Sequence, residues 1–406
     1  MIYLDHNATT QPAPEVVRAM LGVLENAWGN PSSTHRFGQE AKAQLELARQ
    51  QVAKLIGGKP NELCFTSGGT EANNWALLGL LAPLGGTLKN GLVTAKIEHP
   101  SVRTVAEDLE KAGAPVAWIP LEAGGEILPA QVAKTAEELA HQVAAQGGDK
   151  VVVSVMWANN ETGVINPVRA IADALDGVRA RLRAEGVAVK LYFHCDAVQA
   201  VGKVAVDAPA SGVDILVLSA HKIHGPKGIG ALWCKRGVKL APRQRGGAQE
   251  KEFRPGTENI IGAVGFGAAA DLAAAFAADA SAQENLRLVR DRLEAQVLAL
   301  VSDAMVNAAS LPRLNNTSSI AFPFLEAEAI LVGLSEQGVC ASAGSACSSG
   351  SIEASPVLLA AGIPEPLAHG TVRLSLSRET TLEEADQAAQ AVARVIARLR
   401  KVLPNH

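Results

Sequence analysis

The sequence predicts an α/β fold, with a mostly parallel sheet in a large domain and a smaller α+β domain after it. Three observations predict it. The chain has 406 residues, 48% of them hydrophobic, which is enough to bury a large core and to divide into two domains. From about residue 60 to residue 235, short β-branched runs alternate with longer helical patterns. After residue 260 an alanine-rich helical pattern replaces this alternation.

Short apolar runs predict a seven-stranded sheet in the large domain. The expected strands are Leu63 to Thr66, Leu92 to Ile97, Pro115 to Leu121, Val151 to Trp157, Lys190 to Cys195, Ile215 to Ser219 and Ile229 to Cys234. Helices are expected between most of them and beside the sheet. Two of these end at glycine pairs, which is typical of a helix C-terminus: Gln39 to Ile56 and Ala130 to Ala145.

The smaller domain is predicted from the second half of the chain. Its expected strands are Ser318 to Phe322, Val339 to Cys340 and Val372 to Leu376, and its last helix is expected from Leu382 to Leu403. Thr381 and Glu384 form a capping box at the start of that helix. We assign residues 14–260 to the large domain and residues 1–13 together with 261–406 to the small domain.

Charge and composition exclude several classes of protein. The net charge is −4 and Lys and Arg are scattered among Asp and Glu, so no basic stripe favours nucleic acid as a partner. The first residues carry Asp5 where a signal peptide would be positive, and no uncharged apolar stretch is long enough to span a bilayer, which predicts a cytoplasmic protein without a membrane partner. Five cysteines without a Cys-x-x-Cys pair argue against disulfides and structural zinc.

One of these cysteines, Cys347, lies in a loop of small residues, Ala341 to Ser351. The others lie in apolar runs typical of buried strands, where a thiol behaves as a small hydrophobe: Cys64, Cys195, Cys234 and Cys340. A reactive thiol must be accessible and partly ionised, and a mobile loop allows it to react at one place and deliver its cargo at another. A flexible linker that contains a cysteine by chance is the alternative.

Ligands of open α/β sheets bind beyond the carboxyl ends of the strands, so polar residues there are candidates for a site. The segment Ser67 to Glu71 joins a strand to a helix and is a plausible phosphate cradle, although an ordinary capped turn explains it equally well. Asp196 and Gln199 follow another strand. A buried carboxylate there needs a cationic partner, for which a pyridinium nitrogen is suited, whereas a helix cap is the structural alternative.

Two further strand ends carry basic residues. Lys222 comes just after the strand Ile215 to Ser219, and partial desolvation would lower its pKa toward that of an amine nucleophile, which makes it a Schiff-base candidate. Lys227, between a proline and a glycine, is typical of a solvated turn. His99 follows the strand Leu92 to Ile97, where an imidazole could stack on a flat ring or shuttle protons, or simply begin a helix.

Arg373 lies on the polar face of an alternating strand in the small domain. Its guanidinium could bind an α-carboxylate through two hydrogen bonds. An exposed arginine on a sheet surface is the commoner explanation of such a pattern.

Taken together, these segments resemble the pyridoxal-phosphate-dependent cysteine desulfurases over nearly the whole chain. The matching segments are Tyr3 to Thr10, Gly29 to Ser33, Phe65 to Glu71, Glu98-His99, Asn159 to Gly163, His194 to Gln199, His221-Lys222, Arg254 to Glu258 and Gly344 to Cys347. The last is similar to the long-loop group that serves iron–sulfur cluster assembly, and Met156 to Gly163 is closest to its nitrogen-fixation type. The resemblance implies the aminotransferase-like fold type I of pyridoxal-phosphate enzymes.

The resemblance also implies roles for individual residues. Lys222 would hold pyridoxal 5'-phosphate, Asp196 would pair with its ring nitrogen, and His99 would stack on the ring and move protons. Arg373, with Asn160 beside it, would bind the substrate carboxylate. The remaining cofactor contacts implied are Asn160 and Gln199 around the phenolic oxygen, Gly69, Thr70, Ser219 and His221 at the phosphate, and Thr257 reaching that phosphate from the other subunit of a homodimer.

The implied reaction converts L-cysteine to L-alanine and leaves the sulfur as a persulfide on Cys347, for delivery to an iron–sulfur scaffold or another acceptor protein. Cys347 is also a possible transient iron–sulfur ligand, and no resident metal is expected. Selenocysteine lyase or another fold type I enzyme is the alternative within the family.

Two other classes of function fit less well. A dinucleotide-binding oxidoreductase is suggested by Gly265 and Gly267, but this pattern lies inside a predicted helix. A metal hydrolase using His194, His221 and His224 lacks the fixed helical spacing that zinc sites favour.

Overall fold

The structure is a computed structural model that describes residues 1–82, 88–343 and 354–402. Its strands are β1 (Ile2–Tyr3), β2 (Leu63–Thr66), β3 (Gly91–Thr94), β4 (Val116–Trp118), β5 (Lys150–Ser154), β6 (Lys190–Asp196), β7 (Ile215–Ser219), β8 (Gly230–Cys234), β9 (Met305–Val306), β10 (Thr317–Ala321), β11 (Val339–Cys340) and β12 (Thr371–Ser375).

Its α-helices are α1 (Pro14–Asn26), α2 (Arg36–Leu55), α3 (Gly69–Leu81), α4 (Pro100–Lys111), α5 (Pro129–Ala145), α6 (Val168–Ala184), α7 (Ala208–Ser211), α8 (Ile260–Ala278), α9 (Ala280–Leu300), α10 (Ala327–Glu336), α11 (Pro356–Ala360), α12 (Glu365–Ala368) and α13 (Leu382–Val402).

Within the described residues, seven strands form one sheet in the order β2-β8-β7-β6-β5-β3-β4. The pairs from β7 through β6, β5 and β3 to β4 are parallel, whereas β8 is antiparallel to both of its neighbours. The predicted α/β class and mostly parallel sheet are therefore confirmed. Six strands direct their carboxyl ends to one edge, where a ligand site is expected.

Apolar residues cover both faces of this sheet, which is why its strands are nearly continuous hydrophobic runs. Along β5, Val151 and Val153 face a core shared with α2, α5, α6 and α8, while Val152 faces a second core shared with α3 and α4. The alternation of side chains along a strand divides the two cores. A sheet buried on both faces leaves its loops as the places for polar chemistry.

Several predicted strands end earlier in the structure than in the sequence pattern. β5 ends at Ser154 rather than Trp157, and β3 ends at Thr94 rather than Ile97. Val155, Met156 and Ile97 are buried although they lie outside the ladder, so hydrophobicity could not mark the end of either strand. These residues begin the loops that carry His99 and Asn160.

The second half of the chain builds a separate core around β10 and β12, which are antiparallel. This core contains Leu4 from the N-terminus together with α9, α10 and α13. The capping box predicted for α13 is present, because Thr381 N–H donates to Glu384 and Glu384 N–H donates to the Thr381 hydroxyl.

The long helical pattern after residue 260 is two helices rather than one. Asp279 has an extended backbone and its carboxylate accepts hydrogen bonds from Ser281 and Ala282 N–H, which ends α8 and caps α9. Phe266 in α8 packs in the larger core. The domain boundary at residue 260 stays a prediction, and the packing of α8 favours a later boundary.

α8 is also the one described helix that is long and apolar enough to cross a membrane, although it contains Asp271. Half of its most apolar window is buried inside the fold. The core helix of a globular protein passes the same test of length and composition. Its Gly265 and Gly267 lie well inside the helix, as predicted.

The N-terminal segment connects the two domains. β1 pairs in parallel with β11 of the small domain, and Thr10 N–H then donates to the carbonyl of His221 in the large domain. Residues 5–10 therefore cross between the domains at the edge where the parallel strands end. This crossing places Asn7 and Ala8 beside the predicted site.

All four described cysteines lie in strands, as predicted. Only Cys195 is fully buried, while the other three are partly exposed. Burial raises the pKa of the Cys195 thiol well above its usual range and that of Cys234 to about 12. These two thiols are therefore protonated at neutral pH and poor nucleophiles.

Candidate active site

Side chains from four neighbouring strands meet beyond the carboxyl edge of the sheet. Lys222 follows β7, Asp196 ends β6, Asn160 follows β5 and His99 follows β3, in the order in which these strands lie side by side. The charges of Asp196 and Lys222 both act on His99, so the three groups are close in space. The sequence prediction that these residues share one edge agrees with this placement.

Asp196 is buried and receives two hydrogen bonds. Asn73 Nδ2 donates to Asp196 Oδ2 at 2.7 Å, and Val198 N–H donates to Oδ1 at 2.9 Å. A carboxylate has about four acceptor positions, so two donors leave capacity for a further N–H. The site thus holds a buried anion that is able to accept a hydrogen bond from a ligand.

A chain of hydrogen bonds joins Asp196 to His99. Asn73 Nδ2 also donates to the Ser101 hydroxyl at 2.8 Å, and that hydroxyl lies 2.8 Å from His99 Nδ1. Ser101 N–H donates to the same Nδ1 at 3.1 Å. Because Nδ1 accepts from a backbone N–H, the neutral ring carries its proton on Nε2. Asn73 and Ser101 were not among the site residues predicted from the sequence.

The pKa of His99 is lowered, first by burial. Lys222 and Arg103 lower it further, while Asp196 acts in the opposite direction. His99 is therefore a neutral imidazole at neutral pH, with a defined tautomer. Such a ring can release a proton from Nε2 to one partner and take one back there from another.

Lys222 directs its amine at the N-terminal segment. Its Nζ donates to the carbonyl of Asn7 at 2.6 Å and to that of Ala8 at 2.7 Å. Lys227 is exposed, as its position between Pro226 and Gly228 predicted. The two lysines of this loop thus have different environments, since of these two only Lys222 reaches the residues at the sheet edge.

Asn7 connects both domains to the site. Its backbone carbonyl accepts from Lys222 and from Gln199 Nε2, the latter at 2.9 Å. Its side-chain Oδ1 accepts from Lys203 Nζ at 2.9 Å and from Asn316 Nδ2 at 3.1 Å.

The side-chain nitrogen of Asn7 also makes hydrogen bonds. Nδ2 donates to the carbonyl of Asn160 and to the hydroxyl of Thr317. Asn7 is 1% exposed. Because the buried Asn7 side chain makes all of these hydrogen bonds, it fixes the position of the two domains relative to each other at this point.

Lys203 lies behind Gln199. Its Nζ donates to Gln199 Oε1 at 2.6 Å, so Gln199 is oriented from two sides, by Lys203 and by the carbonyl of Asn7. Burial, followed by the charges of Lys222 and Arg373, lowers the pKa of Lys203 well below its usual range. Lys203 was not identified from the sequence, because a lysine in a single sequence carries no signal of burial.

Arg373 is buried, at 2% exposure, so the surface alternative from the sequence is wrong. Its Nη1 donates to the carbonyl of Asn160 at 2.9 Å and its Nη2 donates to Asp5 Oδ1 at 2.9 Å. The backbone of Arg373 pairs with Ser342. A guanidinium fixed in this way presents a planar charge at the domain boundary.

The predicted phosphate cradle lies at the start of α3. Gly69 is the first residue of the helix, whose initial N–H groups have no partner within it. A Cβ at Gly69 would lie 3.0 Å from Val198 and 3.8 Å from Ser219, which brings this loop next to β6 and β7.

Thr70 is exposed and Ser219 is buried beside this helix start. His221 lies near the hydroxyl of Thr9, and burial followed by the charges of Lys222 and Lys227 lowers the pKa of His221 to about 4. Thr257 is exposed and lies in the loop before α8.

Two further ionisable groups lie beneath the site. Glu98 is fully buried, accepts a hydrogen bond from Met156 N–H at 2.5 Å, and has its pKa raised well above its usual range by burial and then by Asp196. His194 is fully buried beside the Ser154 hydroxyl, and burial lowers its pKa to about 4. Burial therefore disfavours the charged form of both groups.

Cys347 lies outside the described residues, as do Gly344, Ser345 and Ala346. The residues on either side of this segment are described, and both contact the site. Ser342 pairs with Arg373, and the Ser355 hydroxyl donates to Glu161 at 2.6 Å. Among the described residues, no three metal-binding side chains lie together, and His194, His221 and His224 do not form such a group.

The chain is similar to known proteins over almost its whole length. Residues 2–388 match the family described as aminotransferase class-V. The chain is 44% identical to "Cysteine desulfurase 2" of Trichormus variabilis, covering 100% of this chain and 95% of that protein. It is 42% identical to "Cysteine desulfurase NifS" of Azotobacter vinelandii, covering 99% of this chain and 94% of the relative.

Solved structures agree with this similarity. A structure titled "NIFS-LIKE PROTEIN" superposes with a TM-score of 0.85 at 30% identity, covering 98% of this chain and 99% of the other. A second, titled "SspA in complex with cysteine", has a TM-score of 0.76 at 29% identity, covering 94% and 100% of the two chains.

Proposed function

The chain belongs to the aminotransferase class-V family, and we infer that it is a cysteine desulfurase that depends on pyridoxal 5'-phosphate and removes sulfur from L-cysteine to leave L-alanine. The observation that carries this conclusion is its similarity to cysteine desulfurases from end to end. The fold and activity expected from the sequence are therefore confirmed, while the roles of individual residues are proposals supported by the geometry of the site.

The described residues fit this cofactor. Asp196 has acceptor capacity left for a ring N–H, and the Oδ1 atom of Asn160 is buried without a hydrogen-bond partner in the described part of the chain. The unpaired N–H groups at the start of α3 suit a phosphate, and no side chain at Gly69 blocks their approach. When bound, the pyridinium ring of the cofactor would withdraw electrons from the α-carbon of the substrate, the carbon that carries the amino group.

Lys222 is proposed to hold the cofactor and to move protons. Its amine donates to two backbone carbonyls, those of Asn7 and Ala8, in the N-terminal segment that lies beside the site.

Asp196 is proposed to keep the ring nitrogen protonated, and His99 to lie against the ring. The chain from Asp196 through Asn73 and Ser101 to His99 fixes both groups relative to each other. It also leaves the proton of the neutral imidazole on Nε2, the nitrogen opposite to the one held by Ser101. We propose that His99 gives and takes protons at Nε2.

Arg373 is proposed to bind the carboxylate of L-cysteine, with Asn160 beside it. Both terminal nitrogens of Arg373 are already oriented by the Asn160 carbonyl and by Asp5. Since the group is buried, a carboxylate that replaces water there gains charge-assisted hydrogen bonds at low dielectric. Gln199, Ser219, Thr70 and His221 are proposed to contact the cofactor as the family resemblance implies.

Cys347 is proposed to take the substrate sulfur as a persulfide. The thiolate attacks the sulfur of the bound cysteine, an S–S bond forms, and the C–S electron pair stays with the carbon skeleton that leaves as alanine. Ser342 and Ser355, which flank the segment that contains Cys347, both contact residues of the site. We further propose that the persulfide is passed to an iron–sulfur scaffold or another acceptor in the cytoplasm.

A homodimer is proposed from the surface of the large domain. Five apolar side chains on α1 and its surroundings are exposed to between 43 and 66%, and the rings of Trp28 and Phe37 stack on this surface. The exposed residues are Val17, Leu21, Leu24, Trp28 and Phe37. An apolar patch of this kind is typical of a protein interface, and an exposed Thr257 is suited to reach a neighbouring subunit.

The decisive experiment measures visible absorbance of the bound cofactor together with alanine and sulfide formed from L-cysteine. Lys222→Ala should lose the normal absorbance and the activity, whereas its control Lys227→Ala should keep both. Cys347→Ala should keep the absorbance and release almost no sulfide, whereas its control Cys340→Ala should release it. Full activity in Cys347→Ala would exclude the persulfide route and favour lyase chemistry of the selenocysteine type.

A further inference from the structure

A small cleft lies between the two domains, behind the N-terminal segment. Side chains from the large domain and from the loop after β12 line it together. Its basic residues are His6, Lys203, Lys222, His224 and Arg378. No Asp or Glu is among the described residues that line the cleft, so its basic side chains have no acidic partner within the lining.

The imidazole of His6 is the most informative group in this cleft. It is 9% exposed, and its Nδ1 atom has no hydrogen-bond partner among the described residues. Leaving a buried polar atom without a partner costs roughly 1–3 kcal/mol. Its ring centroid lies 6.0 Å from that of His224, so one ligand can contact both imidazoles.

The other basic groups are already positioned for a shared ligand. Lys203 Nζ uses two of its three N–H donors on Asn7 and Gln199. His224 Nδ1 donates to the carbonyl of Gln11 at 3.0 Å, so the charged ring would carry its second proton on Nε2. Arg378 is 3.9 Å from Glu379, a carboxylate that is 70% exposed and lies outside the cleft lining.

The electrostatics of the cleft agree with this arrangement. Burial, then His224 and Lys203, lowers the pKa of His6 to about 4, with a weak opposing effect from the Tyr3 backbone. Burial and then Arg378 lower the pKa of His224, against Glu379 and the Gln11 carbonyl. Burial is the main cause in each case, and positive neighbours add to it. A bound anion would reverse both shifts.

We propose that this cleft binds a small oxyanion, a carboxylate or an inorganic oxyanion, between His6, Lys203, His224 and Arg378. The ligand joins residues of the large domain to Arg378 of the small domain, and so stabilises one arrangement of the two. The site is separate from the one proposed for the substrate carboxylate at Arg373, which does not line this cleft.

The test titrates the cofactor-loaded protein with sulfate, phosphate and acetate by calorimetry at constant ionic strength set with chloride. Bound cofactor keeps its own phosphate in the cradle at α3. We expect saturable binding in wild type, and a dissociation constant about tenfold or more weaker in Arg378→Met and in His6→Phe, because each loses a charge-assisted or direct hydrogen bond. Arg398→Met, an exposed arginine of α13, is the matched control and should bind as wild type does.

Comparison of the three anions distinguishes tetrahedral oxyanions from carboxylates. Equal heats for wild type and both variants, or no binding beyond that of chloride, would overturn the proposal. Displacement of the anion by L-cysteine would also overturn it, because the anion would then occupy the substrate site. If either variant fails to fold, histidine NMR of wild type still decides, since sulfate should raise the pKa of His6 and His224 and an unchanged titration would contradict the site.

Discussion

Two buried clusters of charged side chains lie at different places along the same sheet. They differ in whether the buried charge is paired with an opposite charge. Beneath β2, Arg49 makes two hydrogen bonds of 2.7 Å to the two carboxylate oxygens of Glu250, and both side chains are about 5% exposed or less. Beyond β6, Asp196 is equally buried but receives only the neutral donors of Asn73 and Val198.

This difference separates a structural cluster from a functional one. Arg49 also donates to the carbonyl of Leu63 and lies over the ring of Phe65, so the protein itself supplies all partners of the pair. The carboxylate of Asp196 has no cation bonded to it in the described residues. A buried charge that the fold leaves without a counter-ion is expected to meet one on a ligand.

The largest effect is expected from breaking the structural pair. Glu250→Ala leaves the guanidinium of Arg49 buried without its bidentate partner and removes the acceptor of Phe65 N–H. The free energy of unfolding should fall by about 3–5 kcal/mol in urea denaturation.

Glu46→Ala is the matched control for the structural pair, because Glu46 contacts the same Arg49 from a half-exposed position. Its effect should stay below about 1 kcal/mol. An equally small loss in Glu250→Ala would remove the contrast between the two clusters.

The second prediction concerns Asp196→Asn, which removes the buried negative charge and keeps the shape. The kcat for alanine formation should fall by about 10²–10³-fold, the range found when one electrostatic partner of a reaction is removed. The pKa of His99 should fall further, because Asp196 is the group that raises it. The free energy of unfolding should change less than in Glu250→Ala.

Asp149→Asn, at an exposed carboxylate paired with Lys150, is the control for Asp196→Asn and should leave kcat unchanged. If Asp196→Asn instead lost stability and kept its kcat, the role of Asp196 would be structural, like that of the Arg49–Glu250 pair.

The third prediction tests the link between Asp196 and His99. Asn73→Ala removes the donor to Asp196 and to Ser101, which should cost about 1–3 kcal/mol of stability. It should also free the Ser101 hydroxyl to rotate and change the 15N shifts of His99 from those of the Nε2–H tautomer. Asn74→Ala, the neighbouring residue with bonds to the Thr70 and Ser101 carbonyls, should leave those shifts unchanged. Identical His99 spectra in both variants would show that Asn73 does not position the ring.

The smallest effect is expected at Glu98, and it depends on pH. Its carboxyl stays protonated in the folded state at pH values where the unfolded chain is already ionised. The folded state then binds more protons, so stability falls as pH rises from the ordinary pKa of 4.5 toward the raised one.

Glu98→Gln lacks this dependence. In denaturation curves at several pH values it should match wild type near pH 4.5 and gain about 1 kcal/mol or more relative to it at neutral pH. Glu107→Gln, at a half-exposed carboxylate, should show no such trend. Parallel curves for wild type and Glu98→Gln would mean that Glu98 is charged when folded.

Most of the fold could be predicted because its signals are local. β2, β7 and the short β11 begin and end where the apolar runs do, and the capping box of α13 was visible in two residues. The ends of β3 and β5 could not be predicted, because buried residues continue beyond the last pair of the ladder. The break at Asp279 was hidden within a continuous helical pattern.

The site was predictable where a residue follows a strand. Lys222, Asp196 and His99 all do so, and parallel strands bring such residues to one edge whatever their distance in sequence. Asn73 and Ser101 lacked that signal, since each lies in a helix and gains its role from a hydrogen bond to another element. Lys203 was also hidden, and so was the burial of Arg373, because a single sequence does not show that a lysine or an arginine is buried.

The sequence by itself determined the class of fold, the order of its elements and the kinds of reactive group at its sheet edge, because propensity, periodicity and strand direction are properties of neighbouring residues. Only the tertiary structure decided which groups share hydrogen bonds and which charges are left without a partner. Asn7 shows the reason: its bonds reach residues as far away as Thr317, and such contacts exist only when both domains have packed around it.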